Sequence, residues 1–110
     1  MNCKITATPD FARELKHLAK RYLSIKEDYK TFLENLRDNP LMGTELGRHL
    51  RKVRFPIASK GKGKSGGMRV ITFSVDRIND ETINVTLLYI YDKQEMANVS
   101  DEFLRYLLER

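Results

Sequence analysis

Cysteine is almost missing from this sequence: of 110 residues only Cys3 carries a thiol, which excludes an internal disulfide and a multi-cysteine zinc site. Long apolar runs are missing too. The most apolar stretch, around Thr86 to Tyr91, falls far short of the roughly 20 residues that span a bilayer, and the opening MNCKITATPDF has no apolar block of signal-peptide length. The expectation is a cytoplasmic protein in a reducing setting, with no membrane partner. Internal repeats and low-complexity tracts are also lacking. With 41% hydrophobic residues in 110, the chain has material for a single domain, residues 1–110, and one modest core. Acidic residues are scarce in one place. Residues 44–70 hold eight Lys/Arg against one Glu, although the net charge of the whole chain is only +5 and residues 71–110 are net acidic. Charge gathered in this way points to a polyanion met at one place.

What is present falls into two periodicities. Thr8 suits a helix N-cap, with Pro9 in the first helical position and Asp10 in the first turn, and Phe11, Leu15, Leu18, Ala19 and Tyr22 follow at helical spacing. SIKE at 24–27 has the form of a capping box, and Ile25, Tyr29, Phe32, Leu33 and Leu36 continue one face until Asn39-Pro40. Two helices joined by a tight turn near Ser24 are expected. The period then changes. Val53, Phe55 and Ile57 alternate with Lys52 and Arg54, MRVITFSV at 68–75 is β-branched and aromatic, and INVTLLYIY at 83–91 is the most apolar run. These read as three strands, the last two joined by a hairpin whose turn residues are Asp76, Asn79 and Asp80. CKITAT near the start adds a candidate edge strand, and Ser100 caps a closing helix whose buried side is Phe103, Leu104, Leu107 and Leu108. The order β-α-α-β-β-β-α makes an α+β domain: a helical hairpin on a small, largely antiparallel sheet, with a C-terminal helix.

The loop ASKGKGKSGG at 58–67 fits the relaxed letters of a nucleotide-binding P-loop. Such a loop needs a helix after it, so that backbone N–H groups and the helix dipole converge on phosphate. Here Gly66-Gly67 and a strand pattern follow instead, which removes ATP from consideration. The anion remains. Arg51, Lys52 and Arg54 lead into the loop, Lys60, Lys62 and Lys64 lie in it, and Arg69 leaves it. On a two-sided strand Lys52 and Arg54 share one face, making a positive platform suited to a phosphate backbone.

The run LRKVRFPIASKGKGKSGGMRVITF, followed by LLYIYDKQEMANVS, resembles the RelE/ParE superfamily of type II toxin-antitoxin toxins, and within it the HigB-type RelE-like branch. The resemblance covers nearly the whole chain. It implies a ribosome-dependent mRNA endoribonuclease, held in check by a cognate antitoxin, with the ribosome and translated mRNA as its other partners. It also implies site residues. Lys52 and Arg54 match the basic residues of the strand before the loop, Arg69 matches the arginine that contacts the scissile phosphate, and Lys93 matches the basic residue after the last strand. Gln94 stands where relatives have a further arginine, and Ser100 near where they have a tyrosine.

Cleavage by attack of the 2′-OH needs proton removal, proton delivery and stabilisation of charge on phosphorus. Cationic side chains supply the third without a metal or cofactor. Arg69 suits that task, because a guanidinium is planar and bidentate toward phosphate. Lys52 and Lys93 are the candidates for proton transfer, since positive neighbours ease the loss of an ammonium proton. The assignment is therefore Lys52, Arg54, Arg69 and Lys93 as catalytic, with Arg51, Lys60, Lys62 and Lys64 binding RNA. Two rival functions share the fold or the charge: a ParE-like inhibitor of DNA gyrase without catalysis, and a non-catalytic RNA-binding module.

Overall fold

The computed structural model describes residues 2–58, 67–77, 81–96 and 98–109. In chain order the elements are β1 (Asn2–Ala7), α1 (Pro9–Ala19), α2 (Ile25–Asp38), β2 (Thr44–Gly47), β3 (Leu50–Phe55), β4 (Met68–Arg77), β5 (Thr82–Asp92) and α3 (Asp101–Leu108). The strands form one sheet in the order β1-β5-β4-β3-β2. Only β1 pairs in parallel, along β5, and every other pairing is antiparallel. No helix among the described residues is long and apolar enough to cross a membrane.

The helix starts follow from side-chain chemistry. Thr8 accepts the Phe11 amide at 3.1 Å, and its hydroxyl donates to the carbonyls of Leu87 at 3.2 Å and Leu88 at 3.1 Å. The N-cap of α1 is thereby tied to β5. Ser100 caps α3 in the same way, accepting the Phe103 amide at 3.0 Å. The capping box read at Ser24 does not form. Ser24 lies in a helical conformation with no cap bond, and its hydroxyl donates to Asp28 at 2.6 Å. Asp28 also accepts the Ala58 amide at 3.1 Å, so this carboxylate is occupied in fastening the end of the β3 segment to α2.

Both faces of the sheet are covered. Phe11, Phe32, Leu36, Phe55, Val85 and Leu87 belong to the core beneath α1 and α2, and Leu50, Ile71, Leu88, Leu104 and Leu107 form a second core beneath α3. Alternation along β3 and β4 sends Val53, Phe55, Val70 and Met68 to the first side and Leu50 and Ile71 to the second. The register between β4 and β5 shifts once, where Ile71 opposes Tyr89 but Thr72 opposes Leu87. Leu88 is the extra residue of this bulge and packs with Tyr89 on the α3 side.

Three local expectations differ from what is seen. β2 was not expected, because Thr44–Gly47 is four residues with only Leu46 partly buried, too little to print an alternating pattern. It forms through pairing with β3, joined by Arg48 and His49, both at positive φ (53 and 67) as a two-residue hairpin turn requires. Asp76 is a strand residue paired with Ile83 and not part of the turn, while Asn79 and Asp80 lie outside the described residues. Ala19 is exposed, since the hairpin core ends with Leu18 on that turn of α1.

Candidate nucleic-acid interface

β3 and β4 bring the basic residues together by register. Arg54 lies directly across from Arg69, and Arg69 across from Tyr91 on β5; one step along the same face, Lys52 opposes Ile71, which opposes Tyr89. All of these lie on the α3 side, because their neighbours Val53, Phe55, Val70 and Ile90 fill the core beneath α1 and α2. Lys93 follows the last residue of β5, two positions beyond Tyr91. Residues paired across antiparallel strands are about 4.5–5.5 Å apart at Cα, and like charges placed there destabilise a sheet. An Arg54–Arg69 pair is thus an electrostatic cost that a bound anion relieves.

None of the four cations has an acidic partner among the described residues; the ion pairs there belong to Arg13, His17, Arg21, Arg48, Arg51 and Arg105. Among the described residues, Arg69 donates only to the carbonyl of Met68, at 3.1 Å. The nearby carboxylates are engaged elsewhere. Asp92 is buried on the opposite side of the sheet, where it accepts the Tyr22 hydroxyl at 3.3 Å and the Gln94 amide at 2.9 Å, and Glu95 pairs with Arg21 at 3.2 Å. This end of the sheet therefore presents positive charge that nothing within the described chain neutralises.

Two tyrosines support the row. Tyr89 and Tyr91 stack with ring centroids 6.4 Å apart, and Phe103 of α3 meets Tyr89 edge-on at 5.0 Å. Burial raises the Tyr91 hydroxyl above its ordinary acidity range, and the neighbouring Arg69 opposes that rise. Burial also raises Tyr89, reinforced by Glu14 and Asp10. Their rings serve the α3 core, and the register sets Tyr91 directly across from Arg69 on the same face. Nothing in the sequence gave Tyr91 that neighbour, because the pairing depends on the bulge.

The remaining candidates are placed differently. Arg51 lies on the other face of β3, where its Nε donates to the Leu41 carbonyl at 3.1 Å and its Nη2 meets Glu45 at 3.3 Å. It is apart from Lys52 and Arg54. Lys60, Lys62 and Lys64 lie outside the described residues. His49 sits in the β2–β3 turn against Phe73, five residues or about 16 Å of strand from Arg54, and His17 is exposed beside Glu14 on α1. After the loop, Gly67 adopts a φ of +96, with space for a Cβ only 3.2 Å from the Phe55 carbonyl oxygen. A side chain there would be strained and crowded, so this glycine lets β4 start close beside the end of β3. A strand follows it, and the helix of a P-loop is absent at this position.

A two-helix layer and a C-terminal helix enclosing a five-stranded sheet of this order define a RelE-like fold. No family profile matches the chain. Among solved structures, it is similar to a double arginine-to-alanine variant of the E. coli toxin RelE in the free state, with a TM-score of 0.61 over 100% of this chain and 98% of that one. The two share 14% sequence identity. At that distance the likeness concerns the fold.

Proposed function

We propose that this protein is the toxin of a type II toxin-antitoxin system and cuts translated mRNA on the ribosome. The observation that carries this reading is the end of the sheet where Lys52, Arg54, Arg69 and Lys93 gather without an acidic partner among the described residues. The RelE-like fold supports it. In the reaction, the 2′-OH of one nucleotide attacks the adjacent phosphorus and the 5′ oxygen of the next nucleotide leaves. Lys52 takes the 2′-OH proton. Arg54 and Arg69, directly across from each other, bind the two non-bridging oxygens whose charge grows as phosphorus becomes five-coordinate. Lys93 stands at the end of β5 to hold phosphate or return a proton to the leaving oxygen. The lysines of the 58–67 loop grip the flanking backbone, and the reading includes a cytoplasmic setting and an antitoxin that covers the basic row.

The test is induced expression of wild type and Arg69→Ala, with growth and mRNA 5′ ends recorded together. Wild type should arrest growth and leave new 5′ ends within translated frames. Removing one preorganised donor to a developing oxyanion costs roughly 10²–10³ in rate, so Arg69→Ala should leave few cuts. Full-rate cleavage by Arg69→Ala would remove that residue from the mechanism. Growth arrest with intact mRNA and inhibited gyrase would replace the nuclease reading with the ParE-like one.

A further inference from the structure

Asp92 is a buried acid beside the basic row that the reaction does not use. It is the last residue of β5 and only 3% exposed. Lys52, Arg54 and Arg69 occupy ladder positions, where pairing with a neighbouring strand fixes the backbone. Lys93 does not. It is the first residue past β5, and its ammonium ends a flexible stem, so its reach toward phosphate depends on what holds the turn that carries it. Asp92 holds that turn twice. Its Oδ1 accepts the Gln94 amide at 2.9 Å, a side-chain bond to the backbone two residues on that encloses Lys93. Its carbonyl accepts the amides of Glu95 at 2.9 Å and Met96 at 3.2 Å. One residue thus receives the three amides that follow Lys93.

The acid is tied in turn to the first helix. Its Oδ2 accepts the Tyr22 hydroxyl at 3.3 Å, and Tyr22 stands just past α1, its own amide donating to the Leu18 carbonyl at 2.9 Å. Arg21 makes a parallel link, its guanidinium 5.4 Å from the centre of the Tyr22 ring and 3.2 Å from Glu95. Both side chains of that ion pair are more than half exposed, so it contributes little, and the buried carboxylate decides. At the other end of α1, Thr8 is bonded to Leu87 and Leu88 of the same strand. The helix is therefore fastened to β5 at both ends. A buried carboxylate is costly, and an apolar residue at this position would serve the core without fixing the turn. On the nuclease reading given above, we propose that Asp92 is a positioning residue for Lys93 and that Tyr22 anchors it to α1. The helix acts as a strut from the bulge to the end of β5, and it sets where the Lys93 ammonium meets the phosphate held by Arg54 and Arg69.

The test combines single-turnover cleavage of mRNA on programmed ribosomes, at saturating toxin, with amide hydrogen exchange of the free full chain. Asp92→Ala should cut about 10- to 100-fold more slowly, the scale of a misplaced reacting group. Asp92→Asn keeps an acceptor for the Gln94 amide and a donor to the Tyr22 oxygen, so it should restore most of the rate. In a Lys93→Ala background, Asp92→Ala should cost nothing more, whereas a merely structural role predicts that the two losses multiply. Exchange at the Gln94 amide should accelerate at least about tenfold in Asp92→Ala, with the amides of Arg54 and Arg69 unchanged. Should Asp92→Ala fail to fold, Tyr22→Phe, which keeps the ring, enters the same comparison with and without Lys93→Ala. Multiplying losses, an Asn variant as slow as the Ala variant, full-rate cleavage by Lys93→Ala, or unchanged exchange at Gln94 would each overturn the proposal. A wild type that leaves mRNA whole would overturn the nuclease reading instead, and exchange would still decide whether Asp92 holds the turn.

Discussion

Gly43 is where a single methyl group should do the most damage to the basic row. It lies between α2 and β2 at a φ of +102, and a Cβ built there falls 2.6 Å from the Lys52 carbonyl oxygen, 2.9 Å from Val53 Cγ2 and 3.1 Å from the Lys52 carbonyl carbon. Two of those atoms are backbone, so no side-chain rotation relieves the crowding. To restore a carbon contact of roughly 3.5 Å, β3 and the Gly43 segment must part by about 0.9 Å. The left-handed conformation adds about 1 kcal/mol for alanine, and overpacking a tight site typically costs about 1–3 kcal/mol more. Gly43→Ala is therefore expected to lose about 2–4 kcal/mol, or about 8–16 °C in Tm at about 4 °C per kcal/mol for a domain of this size. Gly47→Ala provides the comparison. Its φ is +87 but a Cβ there meets nothing within 4 Å, so only the conformational part, about 1 kcal/mol, should appear. Urea unfolding of both variants separates the two contributions. A Gly43→Ala protein no less stable than Gly47→Ala would refute the close approach to Lys52, and with it the view that this segment sets where Lys52 stands.

Thr72→Val should raise stability by about 1 kcal/mol, read as a higher urea midpoint, because it replaces a buried unpartnered hydroxyl with a methyl group of the same shape; a loss would mean that the hydroxyl is engaged. Thr8→Val removes the acceptor for the Phe11 amide and the donor to Leu87 and Leu88, and unfolding should show a cost of about 1–2 kcal/mol. Burial raises Cys3 above its ordinary 9.0 and Tyr29, Tyr89 and Tyr91 above their ordinary 10.0. The folded chain thus holds these protons more tightly than the unfolded chain. Their contribution is complete below the ordinary values and is lost as pH rises through the raised ones, so the urea midpoint should fall above about pH 9, less steeply in Tyr91→Phe. A midpoint unchanged to about pH 11 would contradict that burial.

The helices, the three long strands and the basic row were legible because each rests on local chemistry. Thr8, Pro9 and Ser100 mark helix starts through their own side chains, and the alternation of Lys52 and Arg54 with Val53 and Phe55 survives in the sheet unchanged. What was not legible depends on partners distant in sequence. β2 exists because β3 offers it hydrogen bonds, and Ser24 lost its capping role because Asp28 takes its hydroxyl while fastening Ala58. Arg51 is the sharpest case. In sequence it belongs to the same basic run as Lys52 and Arg54, yet strand alternation turns it to the opposite face, where Leu41 and Glu45 receive it.

The bulge at Leu88 has an effect well beyond its own position. Upstream of it the odd-numbered residues Ile83, Val85 and Leu87 face α1 and α2; downstream the odd-numbered Tyr89 and Tyr91 face α3. One inserted residue inverts the phase of the strand, so the two halves of β5 follow opposite rules of inside and outside. The first half builds the body of the protein, and the second delivers aromatic rings and a hydroxyl to the face that carries Arg69. Were Leu88 paired as a regular strand residue and not bulged out, the two faces would be exchanged over the rest of the strand, sending both tyrosines under the helical hairpin and Ile90 out beside the arginines; deleting Leu88 would instead leave a regular strand in which Leu87, Tyr89, Ile90 and Tyr91 keep their faces. The chemical character of that end of the sheet is thus set by where the ladder skips a residue as much as by the strand's letters.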